Sequence, residues 1–254
     1  MRLFRSRLWW VLAVLGFGAA MAGHAGSSDD TPVLRFNISP NGYPPYTIVE
    51  EDGTVRGIMW DTARHILQDL GYRIQPEEVP RKRVNRMILE GHLDATPRAR
   101  QWTRNPDRFL FTDPIVYTQE VFFSPREAPF HYRRDSLEGR TLLTHLGYNY
   151  PELEPLFRSG KLQRFDVQHE RMMFKHLLAG ERFNLLIAER QVGLWIMKQE
   201  GIQDRVYVDD EPISHVAFSI MFAPRYKALV KDFNEALEAM KASGELQAII
   251  GRYE

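Results

Sequence analysis

Two hydrophobic periods alternate along the first hundred residues, and this constrains the fold more than any other feature of the chain. Leu34, Phe36 and Ile38 alternate with Arg35 and Asn37, the pattern of a strand with one buried face. Ser39-Pro40-Asn41-Gly42 ends it as a turn cluster, and Asp52-Gly53 marks a second, hairpin-like turn. From Gly57 the spacing Met59, Ala63, Ile66, Leu67, Leu70 is helical, with Gly71 placed to close the helix from the C′ position. A further helix is expected over residues 82–90 with Val84, Met87 and Ile88 inward, and Leu93 and Ala95 end another buried strand. Strand and helix in alternation make a βαβ series, which demands a largely parallel sheet and an α/β fold.

The N-terminus reads as a secretory signal peptide, assigned to residues 1–25. Three arginines and no acid precede an apolar run from Leu8 to Ala22, and Ala20-Met21-Ala22 is a small-x-small site. The run is shorter than the roughly 20 residues that cross a bilayer. Cleavage is expected after Ala22, with Ala25 as the alternative. The chain has no cysteine, so an exported product must draw its stability from its core. Removing the three signal arginines from the 33 basic residues leaves 30 against 33 acidic ones, a slightly acidic protein. That balance excludes a nucleic-acid binder, whose basic residues would spread over one face. The triplet Arg81-Lys82-Arg83 reads as a solvated helix start.

The basic residues do cluster locally between Glu90 and Glu120. Arg98, Arg100, Arg104 and Arg108 crowd a segment just past the strand that ends at Ala95, with only Asp107 as an acid. A guanidinium fork donates two parallel hydrogen bonds to a carboxylate, so such a loop suits a planar anion. Tyr43-Pro44-Pro45-Tyr46 puts two proline-braced aromatics at a strand's C-terminal end, where open α/β sheets bind ligands.

Other chemistries have no support in the sequence. There is no nucleophile elbow, no phosphate loop and no cysteine nucleophile, and His169 and His176 lack the further ligands that would complete a metal site. Neither a cofactor nor a metal is expected.

Four landmarks in order, Tyr43-Pro44-Pro45-Tyr46, Gly57-Ile58-Met59-Trp60-Asp61, Glu90-Gly91-His92-Leu93-Asp94-Ala95 and Phe111-Thr112-Asp113-Pro114-Ile115, resemble the periplasmic solute-binding proteins of family 3, the polar amino acid class. Ser136-Leu137-Glu138-Gly139-Arg140, Gly147-Tyr148-Asn149, the stretch from Ala179 to Glu189 and the closing Gly251-Arg252-Tyr253 continue the resemblance over essentially the whole mature chain. It implies a type II periplasmic-binding-protein-like fold, two α/β lobes joined by two hinge crossings with a ligand clamped between them. The expected division is residues 33–118 with 217–254 as lobe 1 and 119–216 as lobe 2. Local patterns agree, with crossings near residues 117–120 and 213–217. Between them a strand is expected over 141–143, helices over 152–157 and 168–178, a buried strand over 185–188, and a helix over 190–199 stopped by Gly201. Val216, Phe218, Ile220 and Phe222 then alternate as a strand, and Tyr226, Val230, Phe233, Leu237 and Met240 form a helical stripe that should pack on the first lobe.

In amino-acid-binding members, an arginine after the Asp-Ala strand grips the α-carboxylate and an acid at the end of a second-lobe strand takes the ammonium. The resemblance implies Glu189 as that acid, although an acid there also suits a helix's first turn. It implies Arg104 as the arginine, with Arg100 as the substitute, because this segment is about one residue shorter than the family pattern. Tyr148 and Asn149 stand where the family has two threonines, and Tyr43, Tyr46 and Trp60 are expected to help wall the cleft. The implied function is capture of a small polar, carboxylate-bearing solute by a monomeric, non-enzymatic periplasmic protein serving an ABC permease of the inner membrane. The alternatives are a binding protein for a sensory or accessory membrane partner, and a dehydratase-like enzyme on the same fold.

Overall fold

The computed structural model describes residues 31–180 and 182–253. The expected signal peptide lies outside the described residues. Among those described, no helix is long and apolar enough to cross a membrane.

The elements follow in chain order as β1 (Val33–Ile38), β2 (Ile48–Val49), β3 (Val55–Arg56), α1 (Ile58–Asp69), β4 (Arg73–Glu78), α2 (Arg81–Leu89), β5 (Ala95–Ala99), β6 (Leu110–Phe111) and β7 (Val116–Pro125). Then come β8 (Thr141–His145), α3 (Glu154–Arg158), β9 (Gln163–Val167), α4 (Glu170–Ala179), β10 (Leu186–Glu189), α5 (Arg190–Glu200), β11 (Val206–Val208), β12 (Ser214–Phe222), α6 (Lys227–Ser243) and α7 (Glu245–Gly251).

One sheet runs through the whole fold in the order β4-β1-β5-β12-β7-β10-β8-β9, with β6 added on β12 and β11 on β7. The pairs β4-β1-β5 are parallel, as are β10-β8-β9, so each end is a βαβ sheet of the expected kind. The antiparallel strands β7 and β12 join the ends. Residues 116–120 of β7 pair with β12, after which β7 passes to β10. Likewise β12 pairs with β7 through Phe218 and with β5 from Phe218 onward. Residues 117–120 and 214–217, where the crossings are expected, belong to these two long strands.

Side-chain patterning explains the packing. Helix α6 turns Leu229, Val230, Phe233, Leu237 and Met240 inward, an i, i+4, i+8, i+11 stripe laid against α1 and β6. Helix α1 buries Met59, Trp60, Ala63, Ile66 and Leu67 against β1 and β4. Gly201 closes α5 in the left-handed region at φ 62°, as its position in the sequence suggested. Strands β9, β11 and β4 have no clean alternation. Their sequences QRFDV, VYV and RIQPEE are half exposed, and edge pairing rather than hydrophobic periodicity defines them.

Candidate functional site

A cavity of about 370 Å³ opens at the C-terminal ends of β1 and β5. Its floor is set by sheet geometry: Asn37 and Thr96, adjacent residues on neighbouring strands, are hydrogen-bonded at 3.1 Å, and Arg98 follows two residues along β5. Alternation sends Asp94, Thr96 and Arg98 to one face of that strand. Tyr43 forms one wall. The Tyr43 ring stacks on Tyr46 at 5.7 Å and meets Phe218 edge-on at 6.1 Å. Opposite stands Tyr148, edge-to-face with Tyr43 at 6.2 Å, its hydroxyl donating to Glu170 at 3.2 Å. At the rim, Asn41 Nδ2 lies 2.6 Å from His169 Nδ1.

Two arginines give the cavity its charge. Arg98 is 7% exposed, donates from Nε to Thr103 and from Nη2 to the Trp102 carbonyl, and stacks over the Trp102 ring. Arg81, the first residue of α2, donates from Nη2 to Asn85, while its Nη1 is buried without a partner. Neither guanidinium has a carboxylate within 4 Å among the described residues, in contrast to twelve lysine– or arginine–carboxylate pairs among them. Burial holds the Arg98 pKa well below its ordinary value, and the Arg81 charge adds to the effect. Burial likewise brings Arg81 down to about 10. Desolvated, uncompensated cations are costly, and a bound anion is what would relieve them. Arg81 thus corrects the expectation that its triplet is solvated; Lys82 and Arg83 are exposed, Arg81 is not.

A second, larger cleft of about 980 Å³ adjoins the first and shares Arg81, Lys82, Arg98 and Tyr148 with it. Arg86, Arg104, Arg108, Arg164 and Asn149 line it, against Glu90 and Asp166 as its acids. Close approach across this region is possible because residue 147 is glycine: a Cβ there would lie 2.9 Å from the Lys82 side chain, and its φ is +86°.

Of the residues expected at the site, Tyr43 and Tyr148 line the smaller cavity, and Arg104, Asn149 and Tyr148 line the larger cleft. Tyr46 is buried behind Tyr43, against Phe218 at 5.2 Å. Trp60 is a core residue, edge-on to Phe36 at 5.7 Å, and lines neither space. Arg100 is exposed, paired with Asp107 and stacked over Phe111. Glu189 also lies outside both linings. Its carboxylate caps α5, accepting from the Val192 amide at 2.9 Å and the Gln119 amide at 3.4 Å, and burial pushes its pKa up to about 7. The residues not foreseen are Arg81, Phe218, His145 and His169, with Arg98 foreseen only as one of a cluster. Among the described residues no group of three or more His, Asp or Glu could hold a metal.

Comparison with known proteins places this geometry. The probable amino-acid-binding protein YxeM of Bacillus subtilis (strain 168) is 20% identical over 255 residues, covering 98% of this chain and 96% of that protein. Similar solved structures include a substrate-binding protein of an ABC uptake transporter from Streptococcus pneumoniae with bound histidine (TM-score 0.73, 14% identity, 87% of this chain and 92% of that one). Another is a histidine kinase sensor domain with similarity to periplasmic binding proteins (TM-score 0.74, 18% identity, 89% and 97%). The fold is accordingly the two-lobed α/β architecture of type II periplasmic binding proteins. The family model for bacterial extracellular solute-binding proteins, family 3, matches residues 34–254, and the chain belongs to that family.

Proposed function

We propose that this protein is a periplasmic solute-binding component that captures a small carboxylate-bearing solute and hands it to an ABC permease. Residues 33–118 with 217–254 form one lobe and 119–216 the other, and the solute sits in the cavity between Tyr43 and Tyr148. One observation carries the reading: a buried Arg98 and a half-buried Arg81 whose Nη1 has no partner, neither paired with a carboxylate, line an aromatic-walled cavity of about 370 Å³. Such volumes are typical of small-molecule sites. Arg98 is the main anchor, and Arg104 lies in the adjoining cleft, on the approach. Delivery to a sensory membrane partner is the second reading, favoured by the likeness to a kinase sensor domain.

The test is calorimetry against a panel of amino acids and simple carboxylic acids. A desolvated, charge-assisted anchor contributes about 1.5–3 kcal/mol, so Arg98→Ala should weaken the best ligand by one to two decades, at about 1.4 kcal/mol each. Thermal stability should not fall, because an unpaired buried charge is removed. Arg98→Lys should restore only part of the affinity. Undiminished binding in Arg98→Ala would sink the assignment.

A further inference from the structure

An α-ammonium beside buried cations is most strongly offset by a carboxylate, and the charged residues lining the cavity are of one sign. Its lining contains Arg81, Lys82 and Arg98 and no aspartate or glutamate. Glu170, which is not among the lining residues, is engaged by the Tyr148 hydroxyl at 3.2 Å and the His145 ring at 3.6 Å. Glu189, which the resemblance casts as the ammonium acceptor, lies outside the lining, capping α5 through the amides of Val192 and Gln119 and engaging the Tyr46 hydroxyl. An ammonium in this space would meet two guanidiniums with no carboxylate in the lining and none within ion-pair distance of either among the described residues. The cleft that leads in carries four more arginines, of which Arg104 and Arg108 have no carboxylate within 4 Å among the described residues. A chain of even charge balance that concentrates cations on one approach steers anions to it.

Resting on the anion-capture reading above, we propose that the solute is a small organic dianion without an ammonium group, one anionic oxygen pair held by Arg98 and the second negative charge by Arg81. Two carboxylates satisfy this chemistry and keep the carboxylate of the reading above; a single phosphate ester would satisfy the two arginines but not that carboxylate. Arg81 Nη1, buried and partnerless, is the donor that a monoanion held by Arg98 alone would leave unpaired.

Calorimetry of the purified protein with succinate, glycerol 3-phosphate, butyrate, L-glutamine and L-arginine separates the cases. At least one dianion should bind ten-fold or more tighter than butyrate and both amino acids. Succinate as the winner assigns two carboxylates; glycerol 3-phosphate as the winner keeps the dianion and overturns the carboxylate of the reading above. Arg81→Ala should lower the affinity of that dianion ten- to a hundred-fold and leave butyrate within three-fold, while Arg98→Ala should weaken both. Association of the dianion, followed by stopped flow, should slow with added salt and with the exposed double variant Arg104→Gln/Arg108→Gln. An amino acid that binds best and ignores Arg81→Ala overturns the dianion while leaving capture at Arg98 intact. Binding of no dianion overturns it as well, and native mass spectrometry of protein recovered with its own solute then judges the capture reading separately.

Discussion

Glu120 and Glu189 are cross-strand partners on β7 and β10, two buried carboxylates at the point where β7 leaves β12. Burial is the main reason that Glu120 is pushed from an ordinary value of 4.5 up to about 8, with Ser214 donating at 2.9 Å as a partial offset and Glu189 adding repulsion. A raised carboxylate means the folded state holds more protons than the unfolded one between those two values. Its stabilising contribution is therefore complete below about pH 4.5 and is lost as pH climbs through about 8. Glu120→Gln removes this dependence while keeping shape and the acceptor for Ser214. Urea titrations should show the variant gaining on the wild-type protein by a few kcal/mol between pH 5 and pH 8, because each tenfold difference in proton affinity between the two states is worth about 1.4 kcal/mol. A difference independent of pH would refute the protonated state.

Asp94 should be the most costly single carboxylate to lose. It is 1% exposed and ties three segments together, accepting from the Arg35 amide at 2.8 Å, the Arg35 guanidinium at 2.9 Å, Tyr226 at 2.9 Å and Arg225. Burial alone would raise its pKa, but the Arg35 and Tyr226 hydrogen bonds outweigh it and hold the group below its ordinary value. The linked stability is present above the unfolded pKa and disappears as pH falls through the lower, folded one. Asp94→Asn should cost about 2–3 kcal/mol, less than the roughly 3–5 kcal/mol of fully buried pairs because both guanidiniums stay half in water. Chemical denaturation near neutral pH reads this directly, and a loss under about 1 kcal/mol would disprove the assigned role.

Gly57 couples the fold to the cavity wall. It sits at φ 121°, and a Cβ there would come within 2.6 Å of the Tyr46 carbonyl oxygen and 2.9 Å of that of Pro45. Those same carbonyls accept the Met59 and Ile58 amides at 2.9 and 3.1 Å, so the loop carrying Tyr43 and Tyr46 is pinned to the start of α1. Gly57→Ala forces both left-handed strain and a backbone clash. At least about 2 kcal/mol should be lost, a fall of roughly 4–8 °C in Tm for a domain of this size, together with weaker ligand binding. Retention of both Tm and affinity would contradict the pinning.

Much of the architecture was legible because hydrophobic period is a direct image of burial. The alternation at Leu34, Phe36 and Ile38 and the stripe on α6 each correspond to an element, whereas the edge strand RIQPEE is set by pairing with β1 and leaves little trace in its own pattern. Part of the aromatic wall was also readable, since Tyr43 and Tyr46 flank Pro44-Pro45, whereas Phe218 showed only as a strand residue and Trp60 lies in the core. The cationic half of the site was not. Four arginines between Arg98 and Arg108 look alike in sequence, and what distinguishes Arg98 is that β5 runs on past Ala95 to Ala99, carrying this one side chain into the protein while Arg100 turns to Asp107. Arg81 is hidden by the same ambiguity: in a triplet of basic residues at a helix start, only the fold decides which one is drawn half out of solvent.

Capture of a solute between two lobes requires that the contacts across the cavity form together with binding. Two such contacts are the Asn41–His169 pair at 2.6 Å and the Tyr43–Tyr148 edge-to-face pair at 6.2 Å, each joining a residue before β7 to one after it. β7 and β12 carry the chain between these regions, and on the proposed lobe division closure is expected as rotation about residues near Thr118 and Val216, register partners on the two strands. Small-angle scattering should show the radius of gyration falling when the calorimetrically identified ligand saturates the protein. Asn41→Ala removes an exposed hydrogen bond contributing about 0.5–1.5 kcal/mol to the closed form, so the ligand should bind roughly two- to ten-fold more weakly through a smaller closed population. Tyr148→Phe, which keeps the ring pair and loses only the bond to Glu170, should close as the wild-type protein does. A radius of gyration unchanged by ligand in all three proteins would rule out hinge closure as the capture mechanism.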